Sequence, residues 1–130
     1  MKIFGIGTDI VNIKRMEKIL KKNGSKFKNR IFSKEEIKYC GKKSNPASFF
    51  AKRFAAKEAL TKALGTGINK GINLKNIEIS NDINGKPNIT LKGNVNAFLK
   101  KKIKRKKYKI YLSLSDDKPW AQATVIISHN

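Results

Sequence analysis

The chain has one cysteine, Cys40, and one histidine, His129. A lone cysteine excludes an intramolecular disulfide and a Cys-rich zinc site. A lone histidine argues against a Ser-His-Asp or Cys-His constellation. Acidic residues are also scarce, 9 against 30 Lys+Arg, for a formal net charge of +21. No apolar run approaches the roughly 18 to 20 residues that span a bilayer. The opening stretch Met1-Lys2-Ile3-Phe4-Gly5-Ile6-Gly7-Thr8-Asp9 is broken too early by Gly and Asp for a secretory segment. A cytoplasmic protein is the expectation. Three prolines and 9 glycines exclude collagen, and 39% hydrophobic content argues against wholesale disorder. What remains is one domain over residues 1–130, large enough for a core, whose chemistry must use carboxylates, lysines, backbone amides and, if needed, a metal.

The charge is built from 26 lysines and only 4 arginines, spread through every segment. Such a balance attracts polyanions or acidic proteins, but a bias toward Lys, Asn and Ile explains it equally well. Lysine is a point charge; specific phosphate and base reading favours the arginine fork. The densest run, Lys100-Lys101-Lys102-Ile103-Lys104-Arg105-Lys106-Lys107, holds no aromatic to stack on a base. It reads as a solvated helix end whose cations complement the dipole.

Ile3 to Val11 is β-branched and glycine-spaced, a strand with Asp9 near its end. Asn12 caps a following helix with Ile13, Met16, Ile19 and Leu20 on one face and Gly24 as its stop. Ser33 and Glu36 form a capping box for a second helix. Asn45-Pro46 opens the longest helix, which runs through Leu64 to Gly65. A glycine-spaced loop, Thr66-Gly67-Ile68 to Gly71, follows. Ile77–Ser80 and Ile89–Leu91 are strands joined at Asn84-Gly85, and Asn94 caps a short helix. Tyr108–Ser115 and Ala121–Ser128 form a hairpin around a turn at Asp116-Asp117-Lys118-Pro119. This order predicts an α+β fold rather than alternating βαβ.

On the long helix, Glu58 and Lys62 lie on a face otherwise built from alanines, including Ala51 and Ala55. Lys62, at i+4, is the natural cation for Glu58. An ordinary solvated pair of about 0.2–0.5 kcal/mol explains the spacing as well. Asp9 either forms a turn or supplies a second carboxylate. Two carboxylates on separate rigid elements suit magnesium, which takes few protein oxygens. Glycines at 65, 67 and 71 would let backbone amides approach a phosphate. Together these signals point toward magnesium-dependent chemistry on a phosphate ester.

Gly5-Ile6-Gly7-Thr8-Asp9-Ile10-Val11 is followed about 45 residues later by Phe50-Ala51-Lys52-Arg53-Phe54-Ala55-Ala56-Lys57-Glu58-Ala59 and Lys62-Ala63-Leu64-Gly65-Thr66-Gly67. This pattern resembles the bacterial holo-acyl-carrier-protein synthases of the 4′-phosphopantetheinyl transferase superfamily. Asn84-Gly85-Lys86-Pro87 and Ala121–Ile127 also fit in order, so the likeness covers nearly the whole chain. The resemblance implies a compact fold with a long central helix packed on an antiparallel sheet. It implies transfer of phosphopantetheine from coenzyme A to a serine of acyl carrier protein, with release of adenosine 3′,5′-bisphosphate. It makes Asp9 and Glu58 ligands of Mg²⁺, and Lys62 a phosphate cation or proton carrier. Arg53, Gly65, Thr66, Lys86 and Pro87 match coenzyme-contacting positions. Glu58 acting through a water and Lys62 are both candidates for the base. Where many relatives carry histidine, in Ser113-Leu114-Ser115-Asp116-Asp117, this chain has Asp116, which either takes part in metal or proton chemistry or, the reading favoured here, forms the turn before Pro119.

The resemblance also gives the charge an acidic protein partner rather than nucleic acid. Acyl carrier protein would dock on the first helix at Lys14, Arg15, Lys18, Lys21 and Lys22. It further implies a homotrimer with active sites between neighbours. The acceptor is either a carrier domain of a larger synthase or, as the short single-domain chain favours, the small free-standing carrier of fatty-acid synthesis. The rival readings are a non-catalytic nucleic-acid-binding module, resting on the charge, and a scaffold for acidic proteins with a degenerate site.

Overall fold

Strand β1 (Lys2–Asn12) runs directly into helix α1 (Ile13–Ile31), and the Asn12 side chain caps the junction by accepting from the Arg15 N–H at 3.1 Å. These elements belong to a computed structural model that describes residues 1–65 and 71–130. The predicted loop at Thr66-Gly67-Ile68 lies outside the described residues.

The stop predicted at Gly24 is present as a break inside α1 rather than as its end. The backbone leaves helical geometry at Asn23 (φ −140°, ψ 43°) and then resumes to Ile31. The second limb is held by Phe27, whose ring lies 6.1 Å from that of Phe32 and 6.0 Å from that of Phe54. Aromatic burial of this kind outweighs the roughly 1 kcal/mol that a helical glycine costs. Helix α2 (Lys34–Gly41) starts at the predicted capping box, with both Ser33–Glu36 bonds formed. Helix α3 (Pro46–Leu64) begins with Pro46 and ends on Gly65 in the left-handed conformation (φ 80°). At 19 residues it is the longest unbroken helix, since α1 spans as many residues only across a break at Asn23.

A 3₁₀ turn (Leu74–Asn76) leads to the hairpin of β2 (Ile77–Asn81) and β3 (Pro87–Leu91). Helix α4 (Gly93–Lys102) is capped at Lys92, so Asn94 lies inside the first turn. Its side chain is instead engaged by tertiary bonds, donating to the Gly71 carbonyl at 3.2 Å. The basic run ends α4 as predicted, with cations in the last turn. Strands β4 (Tyr108–Asp117) and β5 (Trp120–His129) form the C-terminal hairpin. Asp116 and Asp117 extend β4 instead of turning: they pair with Ala121 and Trp120, leaving the reversal to Lys118-Pro119. The larger sheet is antiparallel in the order β1-β5-β4, and the fold is α+β. Among the described residues, no helix is long and apolar enough to cross a membrane.

Helix α3 is the centre of the core. Thirteen of its 19 residues are buried, as expected of a helix covered on nearly every side. Its alanine face meets β1 at very short range: a Cβ at Gly5 would overlap the Ala63 carbonyl, and one at Gly7 the Ala59 carbonyl. Only glycine permits this approach. The opposite side of α3 carries Lys57, fully buried, whose ammonium donates to Glu36 Oε1 (2.8 Å) and to the Leu74 and Ile77 carbonyls (2.8 and 2.6 Å). Glu36 also accepts from the Ser33 and Ile79 N–H groups. The pair therefore joins α2, α3 and β2. Burial pulls the Lys57 ammonium below its usual range, against the opposing pull of Glu36.

Gly7→Ala should destabilise the fold by about 2–3 kcal/mol, since strand and helix must separate to admit the methyl group. Gly24→Ala, with open space at its Cβ, should instead stabilise by about 0.5–1 kcal/mol. Chemical denaturation of both variants checks the contrast.

Candidate active site

The close packing of β1 on α3 sets Asp9 beside Glu58, and both line a cavity of about 280 Å³ together with Arg15, Phe54 and Trp120. Lys62 joins them, but not as the predicted partner of Glu58. Its Nζ donates to Asp9 Oδ1 at 3.0 Å and to the Thr8 carbonyl at 2.9 Å. The strand lies so near that its end captures the ammonium before the i+4 carboxylate does. Burial first, and the Asp9 carboxylate second, hold the Glu58 carboxyl above its usual range, with Lys62 partly offsetting both. A further cavity of about 360 Å³ reaches the same carboxylate and is lined by Phe27, Arg30, Ile72 and Leu74.

Two mutually repelling carboxylates form a hard-oxygen pair that a divalent cation would neutralise. No group of three His, Cys, Asp or Glu residues is placed to hold a metal among the described residues. Two protein oxygens are enough for magnesium, which keeps water or phosphate oxygens in its other positions. The donor set therefore fits Mg²⁺ and not a closed structural zinc site. Cys40 is fully buried, and burial pushes its thiol up to about 11, so it offers no thiolate nucleophile near neutral pH.

The coenzyme-contacting candidates fall into separate places. Gly65 caps α3 three residues beyond Lys62, with its N–H donating to the Lys62 carbonyl. Thr66 lies outside the described residues. Arg53 is five residues before Glu58, about 140° around the helix, and faces away from it. Its guanidinium is buried over the Tyr39 ring, 4.2 Å from the centroid, and donates to Asn81 Oδ1 at 2.6 Å. Its Nε has no partner among the described residues. Arg53, Lys52, Tyr39, Phe49 and Pro87 line a cavity of about 320 Å³. Lys86 is exposed beside it in the β2–β3 turn, where its N–H donates to Asp82 Oδ1. Asp116 lies near this second group, accepting from Ser48 Oγ at 3.0 Å and facing the Lys52 ammonium at 3.6 Å.

Lys14, Arg15, Lys18, Lys21 and Lys22 are all exposed on α1, with Arg15 reaching the Asp9–Glu58 cavity. Sequence reasoning missed Phe27, Arg30 and Trp120 as cavity walls, and Lys57 as a buried anchor. One signal was available: in a chain of 26 lysines, three of the four arginines (Arg15, Arg30 and Arg53) line these cavities.

Residues 5–124 match the 4′-phosphopantetheinyl transferase superfamily. The chain belongs to that superfamily. It is 51% identical over 128 residues to the holo-[acyl-carrier-protein] synthase of Zymomonas mobilis, covering 96% of each chain. The crystal structure of the Neisseria meningitidis holo-[acyl-carrier-protein] synthase superposes with a TM-score of 0.86 at 38% identity, covering 97% of this chain and 98% of that one. The Bacillus anthracis holo-(acyl-carrier-protein) synthase, solved in complex with CoA (3′,5′-ADP), gives 0.80 at 36% identity over the full length of both. As a holo-acyl-carrier-protein synthase of the 4′-phosphopantetheinyl transferase superfamily, the chain is an enzyme. The likeness spans both groups of residues described above.

The carboxylate pair yields a direct prediction. Without divalent cations, Glu58→Gln should raise the thermal midpoint, because it removes a half-buried charge facing Asp9. Mg²⁺ should raise the midpoint of the wild type and leave that of the variant unmoved. Differential scanning fluorimetry with and without Mg²⁺ checks both signs.

Proposed function

We propose that this enzyme, as a single domain over residues 1–130, moves the 4′-phosphopantetheine group of coenzyme A onto a serine of apo acyl carrier protein. Adenosine 3′,5′-bisphosphate is the second product, and the carrier is that of fatty-acid biosynthesis in the cytoplasm. The observation that carries this reading is the convergence of Asp9, Glu58 and Lys62 in one cleft. Asp9 and Glu58 would hold Mg²⁺, which when bound supplies positive charge to the pyrophosphate and its leaving group. Lys62, already shared between Thr8 and Asp9, turns its ammonium to the phosphate oxygens. Glu58 acting through one water, or Lys62 at the same cleft, accepts the serine proton. Gly65 approaches the phosphates at the end of α3 and Thr66 matches a coenzyme-contacting position, while Arg53, Lys86 and Pro87 receive the far end of coenzyme A.

Arg53 and Glu58 point to different sides of α3, which favours a coenzyme held between two protomers. A homotrimer with sites between neighbours provides this, and the uncovered face of the large sheet supports it. Ile6 and Ile10 on β1 and Tyr111 on β4 are 64%, 60% and 46% exposed there. The acidic carrier docks on the exposed cations of α1, where Arg15 bridges the docking face and the cleft.

Intact mass of apo acyl carrier protein tests the reaction. With coenzyme A and Mg²⁺ the carrier should gain about 340 Da, the mass of one phosphopantetheine arm. Chelator or Glu58→Ala should abolish the gain. No gain with the wild type, together with tight nucleic-acid binding, would favour the basic-module reading. Arg15→Glu should raise KM for the carrier at least about tenfold while changing KM for coenzyme A less than about twofold; equal effects would remove the docking role.

A further inference from the structure

Lys57 stands out as a buried cation that the chemistry above leaves unused. Its neighbour in sequence is Glu58, yet the two side chains leave α3 in different directions, one into the core and one into the cleft. Its ammonium is spent on Glu36 and on two backbone carbonyls, those of Leu74 and Ile77. Those carbonyls belong to the return limb that follows Gly71, and Ile72, Asn73 and Leu74 of that limb line the cavity reaching Glu58. The same limb is tied at its start by Asn94, which donates to the Gly71 carbonyl. The wall opposite Glu58 is therefore held from behind by one fully buried side chain. An ion pair serving stability alone does not need this arrangement, because apolar residues of equal volume hold a core as well or better.

We propose that Lys57 is a positioning residue: by gripping the Leu74 and Ile77 carbonyls it keeps the Ile72–Leu74 wall at the spacing from Glu58 that binding of coenzyme A requires. The inference rests on the transferase reading and extends it to a residue that touches no substrate. Glu36 sets the grip in turn. Its carboxylate is fixed by the Ser33 and Ile79 N–H groups and orients the Lys57 ammonium toward the limb.

The test is the double variant Glu36→Gln/Lys57→Met in the full chain. Lys57→Met alone strands a buried carboxylate and is expected to fold poorly, whereas the double variant leaves no unpaired charge. It should melt cooperatively, yet its KM for coenzyme A should rise about fivefold or more, with KM for carrier protein and the half-saturating Mg²⁺ concentration little changed. Partial unfolding would act differently, lowering kcat with the folded fraction and leaving KM alone. Hydrogen exchange provides a readout independent of transfer: amides of residues 72–77 should exchange faster in the double variant, while those of β1 and β5 stay protected. An unchanged KM for coenzyme A, or unchanged exchange in the limb, would overturn the proposal. A wild type that transfers nothing while the limb still loosens in the variant would overturn the transferase reading and leave the grip itself standing.

Discussion

The approach of β1 to α3 is the constraint on which the rest of the structure depends. Two glycines, Gly5 and Gly7, bring the strand backbone against the carbonyls of Ala63 and Ala59, closer than any side chain would allow. Everything at the cleft follows from that spacing. Asp9, two residues beyond Gly7, arrives beside Glu58; the Thr8 carbonyl and the Asp9 carboxylate arrive within reach of Lys62. Two carboxylates forced together in a partly buried site are unfavourable without a cation, and the Glu58 carboxyl shows it in its raised range. The fold stores this cost in the contact that positions the chemistry, a common trade of stability for function.

Helix α3 distributes three jobs around its circumference. Its alanines meet the sheet, its Glu58 and Lys62 face the cleft, and its Arg53 and Lys57 enter separate polar sites. Arg53 lies over Tyr39 beside a cavity floored by Pro87, and Lys57 binds the Glu36 carboxylate and the return limb. A helix used on every side shows no single apolar stripe, which is why it can connect distant functional groups rigidly. The consequence is that groups expected to share one coenzyme lie on different sides of one protomer. The homotrimer proposed above would bring them together.

Much of this was legible in the sequence, for definable reasons. Local signals held wherever the responsible bonds are local: the Asn12 cap, the Ser33–Glu36 box, Pro46 and Gly65 at the ends of α3, and Asn84-Gly85 between β2 and β3. They failed where tertiary contact overrode them. Gly24 follows a break rather than an end, because Phe27 beyond it has a core to enter, and Asn94 serves Gly71 rather than a helix end. Asp116 extends β4 because Ser48 and Lys52 engage it. The choice of Asp9 rather than Glu58 as the partner of Lys62 depends on a strand more than fifty positions away, which no helical spacing encodes. Lys57 was invisible for the same reason, since its acceptors come from α2 and from the chain after Gly71.

In the proposed assembly, one functional site takes Glu58 from one subunit and Arg53 from another. Mixing two inactive variants, Glu58→Ala and Arg53→Ala, after joint unfolding and refolding tests it most directly. If sites lie between subunits, mixed assemblies contain some interfaces with both residues intact, and transferase activity should return to a sizeable fraction of the wild type. If each subunit carries a complete site, the mixture will stay as inactive as its components, and the account of the shared site is wrong.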